Sequence, residues 1–115
     1  MTYLQAKLHA DTLRPNSISD EQKYSWLHEL DGKMAELLHV DIPDMPEAPH
    51  DADLLVQPPV DNIYELYLIA MYDVYNQDTN LYAMDYQLYN TALEEAKSYI
   101  IRNSKPKDQK MWGVM

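Results

Sequence analysis

The chain has 115 residues, of which 46% are hydrophobic, with two glycines, no cysteine and a formal net charge of −10. This length fits one domain, the composition is that of a globular protein, and no apolar run reaches the ~18 residues of a membrane span. The missing cysteines exclude disulfides and thiolate chemistry, and the first residues lack the apolar run of a signal peptide. We therefore expect a soluble, intracellular domain that has no membrane partner.

The charge is distributed unevenly. Between Met34 and Ala96 there are thirteen Asp or Glu residues and no Lys or Arg, whereas the residues after Ala96 include five Lys or Arg and a single acid, Asp108. Affinity for nucleic acid comes largely from Lys and Arg, so the acidic body argues against DNA binding. Three interpretations stay open: solubility alone, a wall that repels DNA, or a surface that imitates DNA.

Apolar periodicity predicts two N-terminal helices. The first covers residues 2–13, with Leu4 and Leu8 one turn apart. The second begins at Ser19, where the spacing of Ser19 and Gln22 is that of a capping box. Its apolar positions recur every three or four residues: Trp26, Leu27, Leu30, Met34, Leu37 and Leu38. Gly32 within it indicates either the close approach of another backbone or a tolerated defect.

A connection with five prolines follows, from residue 39 to residue 59. Proline at this density forbids helix and favours an extended chain. Within the connection, residues 53–56 ("DLLV") are apolar enough to form a single strand or a clamp over a helical bundle. We therefore expect an ordered loop.

Residues 64–90, "YELYLIAMYDVYNQDTNLYAMDYQLYN", contain seven of the ten tyrosines. We predict a third helix over residues 61–75, a turn at 76–78 and a fourth helix over 78–103, which together form a long antiparallel hairpin. Six residues of the fourth helix follow a heptad seam: Tyr82, Tyr86, Tyr89, Leu93, Ala96 and Ile100. The predicted fold is all-α, a small four-helix domain (1–103) with a proline-rich loop and an extended C-terminal tail (104–115).

The predicted third helix is apolar on nearly every side. From residue 63 to residue 75, eleven of thirteen positions are apolar or aromatic, and such a helix must be covered on more than one side. A domain of this size does not easily supply that cover, so we expect oligomerisation. Tyrosine suits an interface because its ring buries area while its hydroxyl meets water. The residues expected at a subunit interface are Tyr64, Tyr67, Leu68, Met71, Tyr72 and Tyr75.

The sequence contains no convincing catalytic or metal-binding motif. The E-x-x-H at residues 36–39 lacks the second copy that a di-iron bundle requires. His50, Asp51 and Asp53 lie in the proline-rich connection without further donors. Neither a nucleophile elbow nor a glycine-rich phosphate loop is present. We therefore expect no enzymatic activity, no cofactor and no metal.

Three stretches carry a resemblance to a known family: residues 26–32 ("WLHELDG"), residues 53–56 with Pro58, and residues 64–73 ("YELYLIAMYD"). Further matching positions are Asn76, Tyr82, Tyr89, Asn90, Ala92 and residues 105–107. Over residues 19–107 the chain resembles small proteins encoded by tailed phages and prophages of Gram-positive bacteria, which are similar to head–tail connector (adaptor, head-completion) proteins. In that family the position of Gln77 is often glycine, and those of Tyr72 and Tyr75 are often aliphatic.

The resemblance implies a virion structural protein of the head–tail neck, assembled in the host cytoplasm. Its subunits would form a twelve-fold ring under the portal protein, extend the DNA channel and dock the next neck or tail-completion protein. The third helix would contact a neighbouring subunit, and DNA would pass the channel without specific binding.

Two further sets of residues receive roles from the resemblance. The acidic residues expected to face the channel are Asp44, Glu47, Asp51 and Asp53. The tail residues expected to bind the portal are Lys105, Lys107, Lys110, Met111 and Trp112. Two other functions stay open: an acidic DNA-mimic inhibitor of phage origin, and a homo-oligomeric scaffold of unknown task.

Overall fold

The computed structural model describes residues 1–104. Its α-helices are α1 (Tyr3–Leu13), α2 (Asp20–Leu38), α3 (Ile63–Tyr75) and α4 (Thr79–Ser104), and a 3₁₀ helix, Pro49–Asp51, lies between α2 and α3. No β-strand occurs in this part of the chain, so the predicted all-α, four-helix fold is confirmed. None of its helices combines the length and the apolar character needed to cross a membrane.

The N-terminal caps of α1 and α2 differ from the prediction. At α1 the Thr2 hydroxyl accepts a hydrogen bond from the Gln5 backbone N–H (3.1 Å), and the Gln5 side chain accepts one from the Thr2 N–H (2.9 Å). This reciprocal pair is a capping box that the sequence analysis missed. At α2 the Ser19 hydroxyl accepts from the Gln22 N–H (3.2 Å), which confirms the Ser19 half of the predicted box.

The buried face of α1 is not the side that carries Leu4 and Leu8. Tyr3, Ala6 and Ala10 are buried, whereas Leu4 is half-buried and Leu8 is 49% exposed. Alanine on the inner face lets a helix approach its neighbours closely, and the long leucine side chains are then left at the rim. The leucine spacing thus indicated the helix correctly, but the leucines do not lie on its inner face.

Helix α2 buries the predicted stripe, with Leu27, Leu30 and Met34 in the core. Gly32 does not mark the close approach of another backbone. A Cβ atom placed there would meet the Ile42 side chain at 3.7 Å, an ordinary van der Waals distance. Of the two interpretations of Gly32, the tolerated defect is correct.

Residues 53–56 form a clamp over the helices. Asp53 makes an isolated antiparallel bridge with Thr2, and next to it the Tyr3 N–H donates to the Ala52 carbonyl (3.0 Å). Leu54 and Val56 are buried in the core. The predicted ordered loop is therefore present, and we call residues 53–56 the clamp segment.

Helix α3 lies at the centre of the domain and packs against α1, α2 and α4. Its buried residues are Ile63, Tyr64, Tyr67, Leu68, Ile69, Ala70, Tyr72 and Asp73. At one end, the indole ring of Trp26 lies 6.3 Å from the ring of Tyr72 and 6.4 Å from that of Tyr75. The domain thus covers most of this helix by itself, contrary to the expectation, and only Val74 and Tyr75 at its end are largely exposed; oligomerisation stays a prediction.

The seam of α4 against α3 matches the predicted heptad positions in part, because Tyr89 and Ala96 are buried and Leu93 and Ile100 are half-buried against the core. The residues that α4 buries are Asp85, Tyr89, Ala92 and Ala96. Tyr82 is only half-buried, and Tyr86 is 39% exposed and stacks on Tyr82 with ring centroids 5.3 Å apart. The antiparallel hairpin is present, but a buried aspartate occupies a position that an apolar pattern would not select.

Shortening a buried side chain of the clamp segment should destabilise the fold. Leu54→Ala removes a fully buried side chain and is expected to cost about 2–5 kcal/mol of unfolding free energy. Leu13→Ala, the same change at an exposed position, should stay within ~0.5 kcal/mol of wild type. Urea denaturation followed by far-UV circular dichroism measures both, and equal losses would contradict a packed clamp segment.

Candidate functional site

The residues predicted to contact a neighbouring subunit lie mainly in the core of their own subunit. Four of the six are buried: Tyr64, Tyr67, Leu68 and Tyr72. Met71 is half-buried against the core, and Tyr75, at the end of α3, is 61% exposed. Because α1, α2 and α4 enclose α3, the interface assignment is corrected for the four buried residues.

Three tyrosine hydroxyls of α3 donate to carboxylates of the neighbouring helices, of which Asp31 is buried, Asp11 half-buried and Glu29 exposed. The three bonds join Tyr64 to Asp31 (2.6 Å), Tyr67 to Glu29 (3.0 Å) and Tyr72 to Asp11 (2.8 Å). A hydroxyl that donates to a carboxylate makes a short, charge-assisted bond, about twice as strong as a neutral one. Phenylalanine would remove one donor from each carboxylate. These bonds explain the choice of tyrosine at three of the four tyrosine positions of α3.

Asp31 and Tyr64 form the most deeply buried of these pairs. Asp31 is 1% exposed and also accepts from the Leu55 N–H (3.1 Å), while the Tyr64 oxygen accepts from the Val56 N–H (2.7 Å). Burial raises the pKa of Asp31, against the opposing effect of these hydrogen bonds. The pKa of Tyr64 is raised by burial and by the nearby Asp31 carboxylate. The pair fastens the clamp segment to α2 and α3.

A second buried pair joins the first two helices. Lys23, 3% exposed, donates to both oxygens of Asp11 at 3.0 and 3.1 Å, and its ammonium lies 5.3 Å above the ring of Tyr72. Burial alone would raise the pKa of Asp11, but hydrogen bonds from Lys23, Tyr72 and Asn16 lower it below its usual value. The Lys23 charge is therefore neutralised inside the fold and is not offered to a ligand.

A third cluster brings one arginine to two buried aspartates. Arg14 donates to Asp85 at 2.8 Å, and its Nε lies 3.9 Å from an oxygen of Asp73. The second Asp73 oxygen has no partner as a carboxylate. Burial, followed by a hydrogen bond with Asp85 and the charge of Asp85, raises the pKa of Asp73 to about 7. Arg14 Nε also has no hydrogen-bond partner, and a proton on Asp73 would relieve the repulsion between the two neighbouring aspartates.

The first part of α4 exposes a surface without charge. From residue 79 to residue 93 the only charged residue is Asp85, which is buried against Arg14. Met84 and Leu88 are 59% and 56% exposed. The exposed residues of this stretch are Thr79, Asn80, Ala83, Met84, Tyr86, Gln87, Leu88, Asn90 and Thr91. We call this surface the α4 face. It was not predicted from the sequence, although a run of residues with a single charge indicates an uncharged helix surface.

The predicted channel residues lie together on the connection between α2 and α3. Asp44, Glu47, Asp51 and Asp53 are all exposed. The structure thus leaves these carboxylates accessible, and their place in a channel stays a prediction. The predicted portal-binding residues, Lys105, Lys107, Lys110, Met111 and Trp112, lie outside the described residues.

Two histidines hold the connection to α2. His28 donates to the Pro43 carbonyl (2.7 Å), and the His50 ring is hydrogen-bonded to the Tyr24 hydroxyl. His39 ends α2 in a left-handed conformation, with φ of 59°. Within residues 1–104, no three His, Asp or Glu side chains gather in an arrangement that could hold a metal ion.

Comparison with protein-family models, with curated proteins and with solved structures gives no match. The resemblance to connector proteins therefore stays a prediction from the sequence motifs. The geometry contributes three features: a core fixed by hydroxyl–carboxylate bonds, an exposed acidic connection and the uncharged α4 face.

Loss of the Tyr64 hydroxyl should destabilise the domain. Tyr64→Phe leaves the Asp31 carboxylate and the Val56 N–H short of a partner in the interior, at an expected cost of about 1–3 kcal/mol. Tyr86→Phe makes the same change on an exposed ring and should have little effect. Chemical denaturation of both variants tests this, and a neutral Tyr64→Phe would contradict the central role of the pair.

Asp73 should make stability fall as pH rises. Its folded pKa, about 7, lies above the ordinary value of 3.8, so its contribution is fully present below pH 3.8 and is lost as pH rises through 7. Asp73→Asn should therefore be more stable than wild type at pH 8, by at least about 1 kcal/mol, with a smaller difference at pH 5. Asp41→Asn, at an exposed position, serves as the control. A pH-independent difference for Asp73→Asn would contradict the assignment.

Proposed function

We propose that the chain is a subunit of a head–tail connector of a tailed phage. Copies assemble into a ring under the portal protein, extend the DNA channel and dock the next neck or tail-completion protein. The sequence motifs of residues 26–32 and 64–73 support this assignment. The structural observation that carries it is the separation of the surface into an acidic connection and the uncharged α4 face.

The acidic connection suits a wall along which DNA slides. Asp44, Glu47, Asp51 and Asp53 are exposed, and no Lys or Arg occurs between Met34 and Ala96. A phosphate backbone that approaches this segment meets like charge and finds no cation that could replace its counterions. At physiological salt the repulsion acts over about 8 Å, so it operates only when DNA passes close by.

The α4 face suits burial in an assembly. A helix exposed to water normally carries charged side chains on its outer surface. Here residues 79–93 place Met84 and Leu88 among uncharged polar residues, and the only acid points inward. Met84 and Leu88 are one turn apart on the same side of the helix, and exposed apolar residues grouped in this way mark interaction sites. A virion structural protein whose subunits are embedded in a ring has such a surface.

The C-terminal tail supplies the contact with the portal in this proposal. Its sequence combines three lysines with Met111, Trp112, Val114 and Met115. Aromatic and apolar residues provide buried contact area, and lysines provide attraction to an acidic partner surface. The tail thus differs in charge from the acidic body of the subunit.

Deletion of residues 105–115 should abolish binding to portal rings, because the deletion removes both the lysines and the apolar side chains. Co-sedimentation of the purified chain with portal rings measures this. A variant with Met111→Ser and Trp112→Ser keeps the lysines and separates the apolar contribution from that of charge.

Unchanged co-sedimentation of the deleted chain would contradict the proposed role of the tail. The acidic DNA mimic is tested by the same purified protein, which would capture a DNA-binding protein from infected cells in competition with added duplex DNA. Failure to bind portal rings together with such capture would reject the connector.

A further inference from the structure

Helix α1 carries a second exposed surface without permanent charge. Its two permanently charged residues, Lys7 and Asp11, are half-buried and paired with Asp20 (3.1 Å) and Lys23 (3.0 Å). The exposed residues of the helix are Gln5, Leu8, His9, Thr12 and Leu13. Leu8 and Leu13 are each about half exposed. We call this surface the α1 face.

The α1 face and the α4 face are separate surfaces of the subunit. Both helices pack on α3, and within residues 1–104 they form no extensive pair with each other. Helix α4 buries Tyr89, Ala92 and Ala96, and α1 buries Ala6 and Ala10, so the α4 face and the α1 face lie on the outer side of their helices. A subunit with two different contact surfaces can join copies head to tail.

Charge decides which surfaces of two copies can meet. The chain carries a net charge of −10, and exposed carboxylates occur on α2, on the connection and on the C-terminal half of α4: Asp20, Glu21, Glu29, Glu36, Asp41, Asp44, Glu47, Asp51, Asp53, Glu94 and Glu95. Contacts between copies through those surfaces would place like charges opposite one another. The α4 face carries no exposed carboxylate, and the α1 face adjoins only the half-buried Glu65, which lies 3.3 Å from His9, so these two faces meet with the least repulsion.

The polar residues on the two faces are compatible with each other. The α4 face contains Gln87, Asn90 and Thr91, and the α1 face contains Gln5 and Thr12. Amide and hydroxyl groups both donate and accept hydrogen bonds, so such faces can pair without a fixed pattern of opposite charges. The exposed leucines and Met84 supply the apolar area.

We propose that the α4 face of one copy packs against the α1 face of the next copy. This inference rests on the proposed function and specifies how its ring is joined. A head-to-tail contact of this type closes into a ring when its rotation divides a full turn, and otherwise it continues as a filament. The partner is therefore a second copy of this chain, and the buried tyrosines of α3 stay within their own subunit.

The size of the two faces sets the expected affinity between two copies of the chain. Residues 79–93 of α4 extend over about 22 Å and α1 over about 16 Å. A crossing of two helix faces of this length is smaller than the ~800 Å² per partner of a standard stable interface. The pairwise contact is therefore weak, and ring closure or the portal raises the effective concentration of the subunits.

Charge exchange between the two faces tests the proposal. Leu88→Lys and Leu8→Glu place one charge on the α4 face and one on the α1 face, and each alone should weaken self-association at least about tenfold. The double variant sets a lysine against a glutamate at every contact and should regain association. Sedimentation velocity over a concentration series measures this, with circular dichroism to confirm folding. Glu21→Lys, an exposed change on α2, is the matched charge control and should associate like wild type.

Several outcomes would overturn the inference. A wild-type chain that stays monomeric at every concentration would do so, as would single variants that associate normally or a folded double variant that does not recover. An equimolar mixture of Leu88→Lys and Leu88→Glu that associates would indicate that two α4 faces pair with each other, which also rejects the proposal. Met84→Lys with Leu13→Glu gives a second, independent exchange in case the first variants fail to fold.

The same variants separate this inference from the proposed function. A chain that assembles through the two faces and does not bind portal rings keeps the inference and rejects the connector. A chain that binds portal rings with unchanged strength in both single variants keeps the connector and rejects these faces as the contact between its subunits.

Discussion

The bond between the Tyr64 hydroxyl and the Asp31 carboxylate is the constraint on which the rest of the fold depends. Both side chains are almost fully buried, and their bond is 2.6 Å long. A carboxylate in the interior is tolerated only when its lone pairs are occupied, and here Tyr64 and the Leu55 N–H occupy them. One point thus joins α2, α3 and the clamp segment, and loss of either partner leaves a buried polar group without its bond.

Three hydroxyl–carboxylate bonds along α3 fix the orientation of this helix, which apolar packing alone would orient poorly. A helix covered by leucine and tyrosine on nearly every side could rotate about its axis at little cost in buried area. Hydroxyl–carboxylate bonds to α1 and α2 fix its rotation, because each bond requires one geometry. The position of α3 then sets which side of α4 turns inward, with Asp85 against Arg14, and which side meets solvent.

Sequence reasoning recovered the helices, the turn and the ordered clamp segment, because these follow from local spacing, caps and prolines. Apolar spacing did not single out Ala10 of α1 or Asp85 of α4, which are buried, and it placed Tyr86, which is exposed, in the α4 seam. Periodicity ranks residues by their own polarity, whereas the burial of an aspartate depends on a partner distant in sequence. Arg14 lies 71 residues from Asp85, and no local pattern connects them. The prediction of a subunit interface on α3 was corrected for a related reason, because three helices of the same chain bury most of α3.

The position of Trp26 has an optical consequence. Its indole lies between α2 and the end of α3, within 6.4 Å of the rings of Tyr72 and Tyr75. Tyrosines excited at such distances transfer their energy to tryptophan, so light absorbed at this end of α3 is emitted by the indole. Separation of α2 from α3 would interrupt the transfer and restore tyrosine emission. In this chain of ten tyrosines and no phenylalanine, the ratio of tyrosine to tryptophan emission therefore reports whether α2 is packed against α3.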